Sequence, residues 1–291
     1  DYSVFSNEKH KGMYRPLVVF SYAITNFFTG LNSAAFILTN IIVHACVSLT
    51  LLMIVRHLYS SEFLAWLTAA IFALHPINSQ VTNYISSRSE SMAALGVLLS
   101  LLCFYRSRIF FGVFAYLLGL ASKSQAIVAI PFYVVFLGKE FFKKHFIYVL
   151  LIIFITFLYV FFLTFSGFLP SSFAQDVREY DVQLFTQTKA VIYYLLLFIT
   201  PFHLSIEHAF VESSSFFQTT IISASFFLIS LLYFLLKHRS FYVFGCSVFF
   251  ISMLITFVVP LNMIINEHRL YIGCGGLALC FAGALTRCPN K

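Results

Sequence analysis

The sequence predicts an all-α, polytopic membrane protein, and three observations support this fold class. Hydrophobic residues fill 60% of the 291 positions, only 10% of the residues are charged, and the mean hydropathy is +0.90. The apolar residues form long continuous runs rather than the alternating pattern of a β-barrel strand. Only helices satisfy their backbone hydrogen bonds within such a run. We therefore expect about nine transmembrane helices, together with interfacial or re-entrant helices.

The N-terminal residues 1–32 predict an outer loop followed by an interfacial helix. Residues 1–15 are polar, and Pro16 then opens a short apolar run that carries Ser21, Thr25 and Asn26. A short run with polar interruptions fits a helix that lies at the membrane surface better than a full span.

Residues 33–165 predict the first group of spans. Apolar runs indicate helices over 33–55, 63–74, 91–105, 110–120, 126–137 and 146–165. In the first of these, Asn40 and His44 share one helix face and are expected to hydrogen-bond a neighbouring helix. The runs on either side of Lys123 are each shorter than the ~20 residues that span a bilayer upright. They indicate a region that lines a cavity, since broken helices are tolerated only where protein or water covers them.

Residues 166–291 complete a single transmembrane domain that covers the whole chain, 1–291. We expect an outer loop with a re-entrant segment over 166–215, its polar part extending to residue 187. The C-terminal spans follow over 216–291, with helices at about 216–236, 241–259 and 271–285. The distribution of basic residues supports this division, because clusters in short loops remain cytoplasmic. These clusters lie at 56–57, 106–108, 139–144, 237–239 and 287–291. They all fall on one side only if the short run 190–202, which Pro201 stops, does not cross the membrane.

A polar stretch, LHPINSQVTNYISSRSES over residues 74–91, lies between two apolar runs. Polar groups at such a place are costly unless water, a partner or a ligand satisfies them. His75 precedes Pro76, which disfavours helical backbone at His75 and predicts a break there. We interpret the stretch as one wall of a polar site at the membrane surface.

The expected topology brings ionisable residues from six separated segments to the outer face, where this site would lie. Cations at membrane depth can hold a phosphate or pyrophosphate, and carboxylates can act as a general base or orient those cations. The same residue types would equally suit a lipid-binding scaffold. The candidate residues are Arg15, His75, Arg88, Glu90, Lys123, Glu207, His208, Glu267, His268 and Arg269.

The cysteine spacing and the net charge argue against a metal site and a nucleic-acid interface. The six cysteines form no CxxC pair and no Cys/His ligand spacing, so we interpret them as small buried hydrophobes. No metal site and no cofactor are expected, with a divalent metal left open. The net charge of +7 comes from short caps between apolar runs, where it sets topology, so no nucleic-acid partner is expected.

Five segments resemble, in order, the motifs of membrane O-mannosyltransferase-like proteins of the GT-C superfamily, in particular the transmembrane-and-TPR family and its bacterial relatives. YRPLVVFSYAITNFFTG (14–30) is similar to the family's YRPL…LSF…G element. HPINSQVTNYISSRSE (75–90) is similar to H-P-[IV]-H-x-E-x-V-x-x-[IV]-x-x-R-x-[DE]. The other three segments are LASKSQ, PFHLSIEH and EHRLYIG. The resemblance covers essentially the whole chain and implies a GT-C-like fold.

The resemblance implies a glycosyltransferase that uses a polyprenyl-phosphate sugar, with mannose the expected sugar. It implies transfer to a protein or glycan acceptor by an inverting displacement, on the periplasmic face of a bacterial inner membrane or the luminal face of the endoplasmic reticulum. Membrane lipids are expected partners, and membrane-complex subunits are a further class of partner.

The resemblance also implies roles for individual residues. Arg15, Arg88, Lys123 and Arg269 correspond to phosphate-binding or site-organising positions, and His75 to the break that shapes the site. Glu90 and Glu267 correspond to acidic residues of the catalytic site. Asp1 is interpreted as the remnant of an acidic position in the family's first outer loop.

A second interpretation is a catalytically degenerate relative that serves as a structural subunit of a larger membrane complex. Gln80 stands where the family's H-P motif has an acidic residue, and Asn78 where it has a second histidine. Ser124 replaces the glutamate that follows S-K, and Gly273 replaces a proline. We favour the transferase and keep the structural subunit as the alternative.

Overall fold

The computed structural model describes residues 14–168, 178–205, 208–237, 241–259 and 263–286. Two predicted site residues, Asp1 and Glu207, lie outside these ranges. Within them, regular structure consists of helices. The α-helices are α1 Pro16–Thr29, α2 Ser33–Tyr59, α3 Glu62–Leu74, α4 Ser79–Asn83, α5 Arg88–Tyr105, α6 Ile109–Ser122, α7 Ala129–Phe136, α8 Gly138–Lys144, α9 Phe146–Phe165, α10 Tyr180–Ile199, α11 Thr219–Lys237, α12 Phe241–Val258 and α13 Tyr271–Thr286.

The helices confirm an all-α, polytopic membrane protein. Six helical segments in the described ranges are long and apolar enough to cross a membrane, or seven if the bent pair 124–136 and 138–144 is counted as one span. Helices α1, α3 and α6 are apolar but shorter, at 13 or 14 residues each. The predicted helix positions agree with the observed ones to within a few residues for α1, α2, α3, α6, α9 and α11 to α13.

The bundle has two ends with different chemistry. At one end, which we call the polar end, Lys123 bonds Glu90 and Arg15 bonds Ser89. At the other end, Tyr105 at the end of α5 donates to the Phe136 carbonyl oxygen at the end of α7.

The expected number of about nine spans included α3 and α6, which are too short to cross a bilayer of ordinary thickness upright. A 107° bend between α7 and α8 turns the chain at the end opposite the polar end.

Helix α10 begins earlier than the sequence suggested. We expected a loop to continue to about residue 187, but the helix starts at Tyr180. Its first half carries Gln183, Thr186 and Gln187, which are all buried. The polar composition of this half therefore marks a packed protein face rather than a solvated loop.

Two contacts of α10 lie at the polar end of the bundle. Gln183, in its first turn, donates to the carbonyl oxygen of Thr256 in the last turn of α12, at 2.5 Å. Near its other end, the carbonyl oxygen of Phe198 bonds His75, which follows α3. Both contacts lie at the same end of the bundle, which favours the predicted interfacial or re-entrant placement. By length and composition alone the helix could also cross, so the placement stays a prediction.

The structure confirms the expectation for the polar residues of α2 but not the one for all the cysteines. Asn40 and His44 do bond neighbouring segments: Asn40 donates to the Tyr84 carbonyl oxygen at 3.1 Å, and His44 Nδ1 lies 2.6 Å from the Tyr271 hydroxyl. The cysteines were expected to be buried, which holds for Cys274 and is wrong for Cys46, whose side chain is exposed. The side chains of Cys103, Cys246 and Cys280 are half-buried, and Cys288 lies outside the described residues.

Candidate functional site

Glu90 lies at the centre of a buried charged cluster at the polar end. It occupies the first turn of α5, and its side chain is 5% exposed. One carboxylate oxygen, Oε1, bonds Lys123 Nζ and lies 3.3 Å from His268 Nε2. The positive charges of Arg15 and Arg269 also act on this carboxylate. We call Arg15, Glu90, Lys123, His268 and Arg269 the Glu90 cluster.

Lys123 reaches Glu90 because the chain leaves the helical conformation at this residue. Helix α6 ends at Ser122, and Lys123 is extended with φ −162° and ψ 139°. Burial lowers the pKa of the Lys123 ammonium group, and the neighbouring Glu90 carboxylate opposes that shift. The predicted break between two short helical arms thus places the Lys123 ammonium group at the polar end.

Arg15 enters the cluster from the residue before α1. Its Nη1 donates to the hydroxyl of Ser89 at 3.0 Å, directly beside Glu90 in sequence. Burial lowers the pKa of the Arg15 guanidinium, and the charge of Glu90 acts in the opposite direction.

Arg269 belongs to a 3-10 turn, Glu267–Leu270, that precedes α13. Its Nη1 donates to the carbonyl oxygen of Ile264 at 3.1 Å, and its guanidinium also bonds the hydroxyl of Tyr194. The same Tyr194 hydroxyl accepts from the backbone N–H of Asn266 at 2.9 Å and lies 3.1 Å from the Asn266 carbonyl oxygen. Helix α10 therefore holds the turn that carries Arg269.

The cluster carries more positive than negative charge. Among the described residues of the cluster, Lys123 and Arg269 alone contribute two positive charges against the one negative charge of Glu90, and Arg15 adds a third cation. Buried charges are stable only when they are paired. A site with more cations than carboxylates is suited to an anionic group, and arginine and lysine together suit a phosphate.

Glu267 forms a second pair beside the cluster. Its Oε1 accepts from the backbone N–H of Ser205 at 2.6 Å and lies 3.1 Å from His208 Nε2. Nδ1 of His208 lies 3.0 Å from the Tyr193 hydroxyl. The structure therefore brings the predicted residues Glu267 and His208 together, but their contacts hold the segment after α10 rather than the cations around Glu90.

Arg88 lies outside the cluster and acts as a clamp between helices. It is 0% exposed, its Nε donates to Asn40 Oδ1 at 2.7 Å, and its Nη2 donates to the Phe36 carbonyl oxygen at 2.9 Å. Its Nη1 donates to the hydroxyls of Ser21 and Thr25 in α1. Of the two roles implied for Arg88, the contacts fit the site-organising one, because Arg88 fixes the helix that begins after Arg15.

His75 forms the predicted break but does not touch the Glu90 cluster. It follows the last residue of α3 in extended backbone, and its Nδ1 accepts from the backbone N–H of Ile77 at 3.2 Å. Its ring stacks on Phe198 at 4.4 Å between ring centroids. His75 therefore joins the end of α3 to α10.

Sequence reasoning missed two residues that position the cluster. Gln80, interpreted as the replacement of a family acid, accepts the backbone N–H of His268 at 3.0 Å through Oε1. Tyr194 lies in the run YYLLL, where spacing does not separate a buried tyrosine from a lipid-facing one. Across the described ranges, no group of three or more His, Cys, Asp or Glu side chains could hold a metal ion.

The fold and the cluster together define a polytopic membrane protein with a buried, cation-rich site at one end of its helices. Part of the chain is similar to protein O-mannosyl-transferases of vertebrates. It is 37% identical over 102 residues to human protein O-mannosyl-transferase TMTC1, which is 35% of this chain and 12% of that protein. Mouse protein O-mannosyl-transferase TMTC2 is 32% identical over 97 residues, 33% of this chain and 12% of that protein.

Mouse protein O-mannosyl-transferase TMTC3 is 27% identical over 103 residues, 35% of this chain and 11% of that protein. The resemblance to O-mannosyltransferase-like proteins is thus confirmed over about a third of the chain. The matched residues span only about an eighth of the first of these relatives' length. No family model and no solved structure matches the chain.

Proposed function

We propose that this chain is the membrane region of a GT-C-type glycosyltransferase that transfers mannose from a polyprenyl-phosphate donor to a protein or glycan hydroxyl. The observation that carries the proposal is the Glu90 cluster. Three cations surround one carboxylate at the end of a helical bundle that has the composition of a membrane domain. The sugar and the class of acceptor follow from the similarity to protein O-mannosyl-transferases.

The charge balance of the cluster suits the departure of a phosphate. When the bond between the sugar and the phosphate breaks, negative charge develops on the leaving phosphate oxygen. Fixed cations that face this position stabilise the transition state more than the ground state. Lys123, Arg15 and Arg269 are held in place by Glu90, Ser89 and Tyr194 respectively, so they need little reorganisation.

The position of the cluster suits a lipid-linked donor. A polyprenyl chain would lie among lipid tails while its phosphate stays at headgroup level. The short helices α3 and α6 both end at the polar end, where their loops carry His75 and Lys123. The acceptor would then approach from the aqueous side, which we assign to the periplasm or lumen.

The test is a transfer assay with the membrane protein that contains this chain, radiolabelled polyprenyl-phosphate mannose and a Ser/Thr-rich peptide. We expect Lys123→Met and Arg269→Gln each to reduce transfer by about 100-fold, the scale seen when one charge-stabilising donor is removed. Donor affinity should fall in both variants. Lys143→Met is the matched control, because Lys143 is exposed in α8, away from the polar end, and it should leave transfer unchanged.

Folding has to be verified for each variant by its elution profile in detergent and its thermal unfolding midpoint. If the well-folded wild-type protein transfers neither mannose nor another lipid-linked sugar, the structural-subunit alternative replaces the transferase.

A further inference from the structure

A cavity opens at the end of the bundle opposite the polar end. It lies where the connection between α5 and α6 meets α8, and its volume is about 250 Å³. Pockets of roughly 300–1,000 Å³ hold drug-sized ligands, so a cavity of this volume suits a smaller group or one end of a longer molecule. The cavity is therefore a candidate for a second binding site, separate from the Glu90 cluster.

The cavity has an apolar floor and a polar rim. Phe104 and Phe141 form the floor, with their ring centroids 5.6 Å apart. Ser107, Lys144 and His145 line the rim, where Ser107 and Lys144 are exposed. Such an arrangement fits an amphipathic ligand, whose charged group meets the rim while its apolar part lies against the aromatic rings.

Helix α8 forms one side of the cavity and has the features of a helix at the membrane surface. The chain bends by 107° between α7 and α8, so α8 runs across the end of the bundle rather than along it. Phe141 and Phe142 pack against the core, whereas Lys139, Lys143 and Lys144 are exposed. An amphipathic helix with basic residues on its polar face is typical of the lipid headgroup region.

The two segments that border the cavity carry a surplus of positive charge. Arg106 and Arg108 belong to the connection between α5 and α6, and three lysines lie in α8. These five cations oppose one carboxylate, Glu140, so the segments carry four more positive charges than negative ones with histidine neutral. Glu140 is paired with Lys143 at 3.1 Å, whereas Lys144 has no ion-pair partner among the described residues. The rim is therefore suited to an anionic group such as a phosphate.

Ser107 supplies a second observation that points to a ligand. Its backbone lies in the left-handed region, with φ 56°. The Arg108 N–H donates to the Cys103 carbonyl oxygen and the Ser107 N–H to the Phe104 carbonyl oxygen, a Schellman motif in which glycine is the usual residue at this position. A side chain makes the left-handed conformation less favourable. The Ser107 hydroxyl has no hydrogen-bond partner among the described residues, so it is available to a ligand.

We propose that this cavity binds the headgroup of an anionic membrane phospholipid. The phosphate meets Lys144 and the Ser107 hydroxyl at the rim, and the first carbons of the acyl chains lie against Phe104 and Phe141. Exposed basic loops mark the cytoplasmic side, where the leaflet is rich in anionic lipids and basic pockets between helices bind their headgroups. A free phosphate would use the rim alone, so the apolar floor favours the lipid. The inference is independent of sugar transfer, because it concerns the opposite end of the bundle.

The test uses the full membrane protein, purified in a neutral detergent that removes bound lipid. Radiolabelled phosphatidylglycerol or phosphatidylcholine is added, and the lipid retained by the immobilised protein gives an apparent affinity for each. Both headgroups carry a phosphate, but phosphatidylcholine adds a cation that the basic rim repels. We expect phosphatidylglycerol to bind at least about 10-fold more tightly. Inorganic phosphate and glycerol 3-phosphate, which lack acyl chains, should not displace it at millimolar concentration.

Two variants separate this site from general surface charge. Lys144→Gln should weaken phosphatidylglycerol binding by about 10-fold, because the phosphate loses a charged partner. Ser107→Gly removes the hydroxyl but suits the left-handed backbone, so binding should weaken by about threefold while the lipid-free protein unfolds at the same or a higher temperature. Lys139→Gln is the matched control, since it removes the same charge from the same helix outside the cavity lining, and it should bind within about twofold of the wild type.

Three results would overturn the inference. Equal binding of the two lipids by the wild type would show that the headgroup charge is not read. Equal losses in Lys144→Gln and Lys139→Gln would show that surface charge alone attracts the lipid. Displacement by glycerol 3-phosphate would show that the site takes a soluble phosphate rather than a membrane lipid.

Discussion

Arg88 is a fully buried cation whose described partners are all neutral. Its guanidinium bonds Asn40 and the Phe36 carbonyl oxygen in α2 and two hydroxyls in α1, and it lies 4.5 Å from the centre of the Tyr22 ring. Several hydrogen bonds and a cation–π contact together offset the cost of removing the charge from water. The clamp thus joins α1, α2 and α5 directly behind the Glu90 cluster.

We predict that Arg88→Met destabilises the fold by about 2–3 kcal/mol, because the Asn40 amide and the Phe36 carbonyl oxygen lose a charged donor. The measurement is the thermal unfolding midpoint in detergent, with exposed Arg106→Met as the control, which should unfold like the wild type. A stable Arg88→Met protein that has lost donor binding would show instead that Arg88 holds the phosphate.

At this scale, the sequence predicted which residue types meet but not how they pair. Glu90, Lys123, His268 and Arg269 were all named from their position between apolar runs, and the structure brings them together. The separate role of Arg88 was not predictable, because its partners Ser21 and Asn40 lie 67 and 48 residues away in sequence. Spacing along one helix carries no information about such partners.

At the scale of elements, small residues decide how closely two helix pairs approach. A Cβ added at Gly276 in α13 would overlap the carbonyl oxygen of Gly245 in α12 and crowd Val248. A Cβ at the preceding residue, Gly275, would lie 3.4 Å from the Leu51 side chain, which is an ordinary van der Waals contact. The two neighbouring glycines therefore differ in what they permit.

We predict that Gly276→Ala destabilises the protein by about 1–3 kcal/mol, the usual cost of overpacking, since α12 and α13 have to separate. Gly275→Ala is the matched control and should be neutral or stabilising by up to about 1 kcal/mol, because alanine favours helix over glycine. Thermal unfolding of both variants in the same detergent gives the comparison. Equal midpoints would contradict the close approach of the two helices.

The apolar helices were predictable from sequence because their runs are long and their ends carry clear signals. Helix α9 was predicted with the bounds that the structure has, Phe146–Phe165, between a basic cluster and a polar loop. The start of helix α10 was not predicted, because its first half carries the polar residues Gln183, Thr186 and Gln187. These residues are buried against protein, but their hydropathy is typical of a loop. A buried polar face is visible only once the partner that satisfies it is known.

At the scale of the whole molecule, the two ends of the bundle differ in how their charges are used. The polar end buries its cations around Glu90, whereas the other end carries exposed basic residues such as Arg106 and Lys143. Exposed basic clusters in short loops mark the cytoplasmic side. The candidate site is then on the opposite side of the membrane, provided that α10 runs along the polar end and does not cross.

Single added cysteines test this arrangement in sealed vesicles of known orientation. We predict that Glu179→Cys and His203→Cys, at the two ends of α10, react with a membrane-impermeant maleimide from the same side, and that Arg106→Cys reacts only from the other. All three positions are exposed, so labelling above the background of the native cysteines is readable. If positions 179 and 203 react from opposite sides, α10 crosses the membrane. In that case Arg106 and the C-terminal basic cluster can no longer share one face, and the assignment of the site to the periplasmic or luminal side fails with them.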